Sequence, residues 1–279
     1  MRIMVGRIKV GRIKLWGAAL IAATVGFGGA AVAKEAASAP AIPKSSGYLG
    51  AAAVPDTLSI LPPPPAKGSL PEQWDRKVFT DTRALVGKPR WTLAAKDAVD
   101  YFTVYDCVFG VRLESASLPK TFALLRRVGS DASLVTNRPK DHYQRPRPFI
   151  GTTQAICRED QREGLTKSWS YPSGHATFGW AAGLIMAELA PDKATAILMR
   201  ARAFGESRTV CGVHYVSDIE EARTNGSALV ATLHGNGDFR ADIEAARAEL
   251  AAWRAKGGAP APDPALCKME AEASAHTPW

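Results

Sequence analysis

The chain has 279 residues, enough for one large domain or two small ones, and 46% of them are apolar, enough for a substantial core. Its formal charge is +8, from 35 Lys+Arg against 27 Asp+Glu, but five of the basic residues lie in the first fourteen positions. Without that leader 30 basic residues face 27 acidic ones, a balance that gives no support to a nucleic-acid partner.

In chain order, Met1 to Lys14 is basic and acid-free and contains the tandem "VGRIKVGRIK". It is followed by "LWGAALIAATVGFGGAAVA", ending in Ala31-Val32-Ala33. Basic, then apolar, then A-x-A is the pattern of a secretory signal peptide over residues 1–33, cleaved near Ala33, which predicts a periplasmic or secreted bacterial protein. An uncleaved anchor is the alternative, disfavoured by a Gly/Ala-rich stretch of barely spanning length. Residues 34–70 are rich in Pro and Ala and end in "LPPPPAKGS", which predicts an extended N-terminal arm.

From residue 71 to 256 helical periodicity dominates. "GHATFGWAAGLIMAELA" is apolar nearly all round, as a central buried helix should be. "PDKATAILMRARAFGES" puts Ile197, Leu198, Ala201 and Phe204 on one stripe. In "DFRADIEAARAELAAWRAKGG", Phe239, Ile243, Ala246, Leu250 and Trp253 recur at helical spacing, with Asp238 as the expected cap and Gly257-Gly258 as the stop. Alternating strand patterns are scarce. The prediction is an all-α fold, a single mainly helical domain over 71–256 followed by a short C-terminal tail, 257–279, and the mature chain has no apolar run long enough to span a membrane. The cysteines Cys107, Cys157, Cys211 and Cys267 form no C-x-x-C pair, so zinc-ribbon and thioredoxin readings have no support. In an exported chain their even number predicts two disulfides, with three connectivities open.

Three clusters carry chemistry. The first, "PKDHYQRPRPF", holds Lys140, Arg145 and Arg147; the second, "SYPSGHATFGW", holds Pro172, Ser173, Gly174 and His175; the third, "ESRTVCGVHYVSDIEEAR", holds Ser207, Arg208, His214 and Asp218. Each alone has a bland explanation: solvated loop cations, a turn ending in a helix cap, a surface His–Asp pair. The second is also what an anion site needs, because free N–H groups and the positive end of a helix dipole favour a phosphate-like ligand.

Together, Lys140, six residues, Arg147-Pro148, then Pro172-Ser173-Gly174-His175, then Ser207-Arg208, five residues, His214, three residues, Asp218, resemble the tripartite signature of the type-2 phosphatidic acid phosphatase and vanadium haloperoxidase superfamily. The segments "PDTLSILPPPPAKGS", "YPSGHATFGWAAGLIMAELAP" and "GSALVATLHGN" are similar to its bacterial class A non-specific acid phosphatases, and the resemblance covers roughly residues 47–252. It implies an acid phosphatase acting on small phosphomonoesters, in which Lys140, Arg147, Ser173, Gly174 and Arg208 bind phosphate. His214 would be the nucleophile that forms a phosphohistidine, Asp218 would orient it and raise its pKa, and His175 would be the general acid. His175 is expected to lose basicity at a helix start and to regain it when phosphate binds. An i,i+4 spacing would put His214 and Asp218 on one helix face. No cofactor and no metal is required, and vanadate, a mimic of the phosphoryl transition state, should occupy the phosphate cradle. His142, His234 and His276 read as structural or exposed. Two cysteines fall where the resembled family often carries them, which implies Cys157–Cys211 and leaves Cys107–Cys267. A homodimer or larger assembly is compatible with the family. The alternatives are a vanadium-dependent haloperoxidase and a catalytically inactive secreted phosphate-binding protein.

Overall fold

Gly174–Leu189 forms α7, and its apolarity on every side follows from its position, with helices packed all round it. A computed structural model describes residues 46–50 and 53–279; the predicted leader, its cleavage point and residues 34–45 of the arm lie outside the described residues. Eleven α-helices are described and no strand, as the all-α reading expects. They are α1 (Thr57–Ile60), α2 (Leu70–Thr82), α3 (Pro89–Asp97), α4 (Asp106–Phe109), α5 (Pro119–Tyr143), α6 (Arg162–Thr166), α7, α8 (Ala194–Val210), α9 (Val216–Leu233), α10 (Gly237–Lys256) and α11 (Pro264–Ala275).

α7 packs on α5, α8, α9 and α10 around one core that includes Leu124, Val128, Phe178, Ile185, Phe204, Leu229 and Phe239. Two glycines set the spacing to α8. A Cβ at Gly183 would lie 2.5 Å from the Ala201 methyl, and one at Gly179 would lie 2.3 Å from the Phe204 ring. The α8 stripe is buried at Ile197, Ala201 and Phe204. On α10, Phe239, Ile243, Ala246 and Leu250 are buried, and Trp253 packs at the edge of the core.

The cap of α10 is Asn236 instead of Asp238. Asn236 has extended backbone and its side-chain oxygen accepts from the Phe239 N–H at 3.0 Å, whereas Asp238 already stands in the first turn. There its charge still faces the positive end of the helix. Gly257 and Gly258 end the helix with positive φ.

The tail is largely helical. Asp263 caps α11 by accepting from the Ala265 N–H, Pro264 takes the first position, and Ala273 packs on Leu93 and Ala203. Its Glu270 joins a buried ion cluster in which Arg200 of α8 reaches Asp97 of α3 at 2.5 Å and Glu270 at 3.3 Å. Cys267 is bonded to Cys107, which ties α11 to α4, and Cys157 is bonded to Cys211. These are the two pairs that the family resemblance implies.

In the described part of the arm, the Tyr48 and Leu49 N–H groups both donate to the Asp131 carboxylate on α5, and both side chains are buried. Farther on, the Pro62 carbonyl accepts from the Tyr171 hydroxyl, so the proline strap lies against the residue that precedes the Pro-Ser-Gly-His motif.

Candidate active site

α8 must stop before α9 can start, and the short turn between them carries His214. Gly212 takes φ 74°, and the Arg83 guanidinium donates to the Thr209, Val210 and Ala155 carbonyls, satisfying the end of α8. His214 precedes Tyr215, the N-cap of α9, and Asp218 is the third residue of that helix. The pair therefore does not share a helix face. The Asp218 carboxylate folds back over the helix start, accepting from the Tyr215 N–H at 2.9 Å and facing His214 Nδ1 at 3.2 Å.

His214 is buried, and its other nitrogen, Nε2, lies 2.9 Å from Arg147 Nη1. An arginine can only donate, so Nε2 carries the lone pair and Nδ1 the proton, which goes to Asp218. Burial and the charge of Arg147 hold the imidazole well below its ordinary pKa, outweighing Asp218. Asp218 does pull the value up, as expected, but its pull is the smaller effect and the net direction is downward. Burial opposes ionisation of Asp218 as well, but hydrogen bonds from His214 and Ser170 and the charge of Arg145 keep its carboxyl well below the usual range.

The cations are held by carbonyls. Arg147 is buried and donates to the Ser168 and Val213 carbonyls, at 3.0 and 2.9 Å, and to the Ser168 hydroxyl at 3.0 Å. Lys140 stands in the last turn of α5 and donates to the Trp169 and Ser170 carbonyls, which fix its amine in place. Burial and neighbouring Arg147 bring its amine down to about 7. Arg208 comes from the end of α8; its guanidinium is buried, its Nε has no hydrogen-bond partner among the described residues, and no carboxylate there pairs with it.

Ser173 caps α7, its oxygen accepting from the Ala176 N–H at 3.3 Å, and its own N–H donates to the Asp218 carbonyl at 3.1 Å. That bond ties the second cluster to the third, as Arg147 to His214 ties the first to the third. A Cβ at Gly174 would sit 3.4 Å from Thr136, so α5 packs closely there too. His175, in the first turn, stacks on Phe204 with centroids 4.4 Å apart, and its Nδ1 lies 3.0 Å from the Tyr101 hydroxyl. Burial, then Arg208 and His214, lowers its pKa well below the ordinary value, the direction expected before phosphate binds.

All eight residues singled out from the sequence thus line one constellation. Four more belong to it. Arg145 donates to Asp218 at 2.7 Å and to Asp75 at 2.8 Å, Ser170 donates to Asp218, and Tyr101 meets His175. Arg145 and Ser170 lie inside the quoted motifs, where their position was the available signal; nothing local announces Asp75 or Tyr101. The remaining histidines are peripheral: His142 stacks edge-on with Tyr143, His234 pairs with Glu188 at 3.2 Å, and His276 is exposed.

The PAP2 superfamily model matches residues 122–236. The chain is 44% identical over 222 residues to an acid phosphatase of Zymomonas mobilis, covering 78% of this chain and 83% of that protein. It is 36% identical over 209 residues to a non-specific acid phosphatase of Providencia stuartii (73% and 84%), and 31% identical over 195 residues to one of Salmonella typhimurium (68% and 78%). Helices, converging motifs and this breadth of identity agree: the chain belongs to the PAP2 superfamily and, within it, to the bacterial non-specific acid phosphatases, a family of phosphatase-type enzymes.

Proposed function

We propose that this protein hydrolyses small phosphate monoesters through a phosphohistidine at His214, without a metal ion. The observation that carries the reading is His214 itself: a buried imidazole with its proton directed to Asp218 and its lone pair on Nε2, beside Arg147. That is the tautomer a nitrogen nucleophile needs, and attack requires the Arg147 N–H to pass from Nε2 to a phosphate oxygen. Arg147, Arg208 and Lys140 supply the positive charge that phosphoryl transfer requires, and the Ser173 hydroxyl, whose oxygen caps α7, retains a proton to donate to a phosphate oxygen.

In the first step Nε2 attacks phosphorus while the P–O bond to the alcohol breaks, and His175 gives the departing oxygen a proton. Positive charge develops on the His214 ring, and Asp218 stabilises it. In the second step neutral His175 takes a proton from water, which attacks phosphorus and releases inorganic phosphate and His214. Vanadate should bind the same groups and inhibit. Two disulfides suit an oxidising compartment, in keeping with an exported, periplasmic or secreted protein. Among the described residues no helix is long and apolar enough to cross a membrane.

The test is hydrolysis of p-nitrophenyl phosphate from about pH 4 to 8, spanning the histidine range, by wild type and His214→Ala, with and without chelator and vanadate. Chelator-insensitive, vanadate-inhibited turnover that vanishes in the variant, together with an acid-labile, base-stable phosphoryl label on wild type, supports the reading. A folded His214→Ala variant with wild-type turnover sinks it.

A further inference from the structure

Both histidines of the site have a partner on Nδ1, and the two partners differ in kind. His214 Nδ1 faces a carboxylate, Asp218 Oδ2 at 3.2 Å. His175 Nδ1 faces a phenol, Tyr101 Oη at 3.0 Å. Tyr101 comes from the turn after α3, 74 positions earlier in the chain, and its ring lies 4.6 Å from the His175 ring, 5.8 Å from Phe178 and 6.2 Å from Phe204. The imidazole is stacked flat on Phe204 at 13° between planes and held by the Tyr101 hydroxyl at Nδ1, with the Asp97 backbone also hydrogen-bonding to the ring. Its other nitrogen, Nε2, is buried and has no hydrogen-bond partner among the described residues.

We propose that Tyr101 is the positioning residue of the general acid: its hydroxyl oxygen accepts the His175 Nδ1–H throughout the cycle and reserves Nε2 as the nitrogen that exchanges the proton with alcohol and water. The proposal rests on the acid role of His175 given above. A general acid that becomes the base of the next step alternates between imidazolium and one neutral tautomer. If the proton leaves from Nε2, the neutral form must keep its proton on Nδ1, and the Tyr101 oxygen holds that form when its own O–H points away from the ring. A phenol oxygen accepts from Nδ1–H in both states.

The chemistry of the acceptor matters as much as its place. A carboxylate stabilises the adjacent imidazolium strongly, which suits His214, because that ring must become a cation on attack. The same partner on His175 would make it a weaker acid and slow proton delivery. A neutral phenol orients the ring without that penalty. The two environments push the paired histidines towards opposite tasks with one hydrogen bond each.

The step served is transfer of the His175 Nε2 proton to the leaving oxygen as its bond to phosphorus breaks. It matters most for an alkoxide leaving group and little for a nitrophenolate, which departs readily unprotonated. The test is therefore kcat/KM of Tyr101→Phe, which keeps the ring contacts, on an alkyl phosphate such as glycerol 2-phosphate and on p-nitrophenyl phosphate. kcat/KM covers the steps up to departure of the alcohol. The alkyl ester should slow about 10-fold, a fraction of the total that general acids contribute, and the aryl ester less than about 2-fold. Tyr101→Leu, which also loses the ring contacts, should slow both esters further. Equal losses on both esters, or no loss on either, in a Tyr101→Phe protein that melts like wild type would overturn the proposal. If that variant does not melt like wild type, the ratio of the two losses still decides, because misfolding lowers the active fraction for both esters alike. The histidine label on wild type is read independently, so failure of the phosphohistidine reading and failure of the Tyr101 role are told apart.

Discussion

Replacing Arg145 with methionine should destabilise the protein more at neutral pH than in acid. Its guanidinium bridges two carboxylates that are almost fully buried, Asp218 Oδ1 at 2.7 Å and Asp75 Oδ2 at 2.8 Å, while it also donates to Ser217 and lies over the Tyr215 ring. Its own side chain is 10% exposed. Methionine fills much of the same volume but leaves both carboxylates without a cation, and breaking a buried pair in this way costs about 3–5 kcal/mol. At roughly 2–4 °C per kcal/mol for a domain of this size, Tm should fall by about 6–20 °C. The pH dependence gives the sharper check. In wild type the Asp218 carboxyl is held low, so its contribution is present above the ordinary carboxylate range and is lost as pH falls through the folded value. Without Arg145 that folded value rises, and protonation in mild acid removes the penalty of an unpaired anion. The Tm gap, followed by far-UV circular dichroism, should be largest near pH 7 and narrow towards about pH 4. A gap under about 2 °C at pH 7, or one that does not change with pH, would refute the argument that Arg145 is held in place to neutralise Asp75 and Asp218.

Rate profiles should carry the signature of two histidines held low. His214 stays neutral well into acid, whereas His175 in the free enzyme and Lys140, near 7, lose their protons as pH rises, so kcat/KM should fall from acid to neutral pH. A bound phosphate dianion raises His175, so the alkaline limb of kcat should lie at higher pH than that of kcat/KM; coincident limbs would contradict this. Gly179→Ala puts a methyl 2.3 Å from the Phe204 ring, which is buried and supports His175, so overpacking of about 1–3 kcal/mol should lower Tm and slow alkyl phosphates, and an unchanged Tm would show that the ring yields freely. Opening Cys157–Cys211 and Cys107–Cys267, with separations of 54 and 160 residues, should cost about 4 and about 5 kcal/mol by chain entropy, read as a lower urea midpoint under reductant.

Legibility in the sequence followed sequence distance. His214 and Asp218 are four residues apart, and their pairing could be read although its geometry was not: the segment between them holds a helix start, and the carboxylate reaches back across it. The central helix was legible because most of its length packs into the apolar core. The helix in the tail was obscured by flanking prolines and alanines, yet Asp263-Pro264 is a cap followed by a first-position proline, a start signal in its own right. Asp75 and Tyr101 were beyond reach. Arg145 lies 70 residues from Asp75 and His175 74 from Tyr101, and each contact joins elements that meet only in the folded chain. A lone Asp or Tyr carries no mark of a partner so distant.

The two arginines of "RPRP" show why type and spacing could not assign every role. Arg147 and Lys140 are oriented by carbonyl oxygens of Ser168, Trp169, Ser170 and Val213. Carbonyls fix direction but carry no net charge, so the positive charge remains for a ligand. Arg145, two positions earlier, is fixed by two carboxylates, which cancel its charge. The first arrangement suits a phosphate dianion; the second suits a strut behind the aspartate that holds His214. Arg208 completes the pattern, buried with no carboxylate partner among the described residues. Retaining buried positive charge is costly for a folded chain, and the depressed values of Lys140, Arg147 and Arg208 record that cost. Binding the phosphate dianion of the proposed reaction would offset it, which gives these buried cations a reason to stand without carboxylate partners.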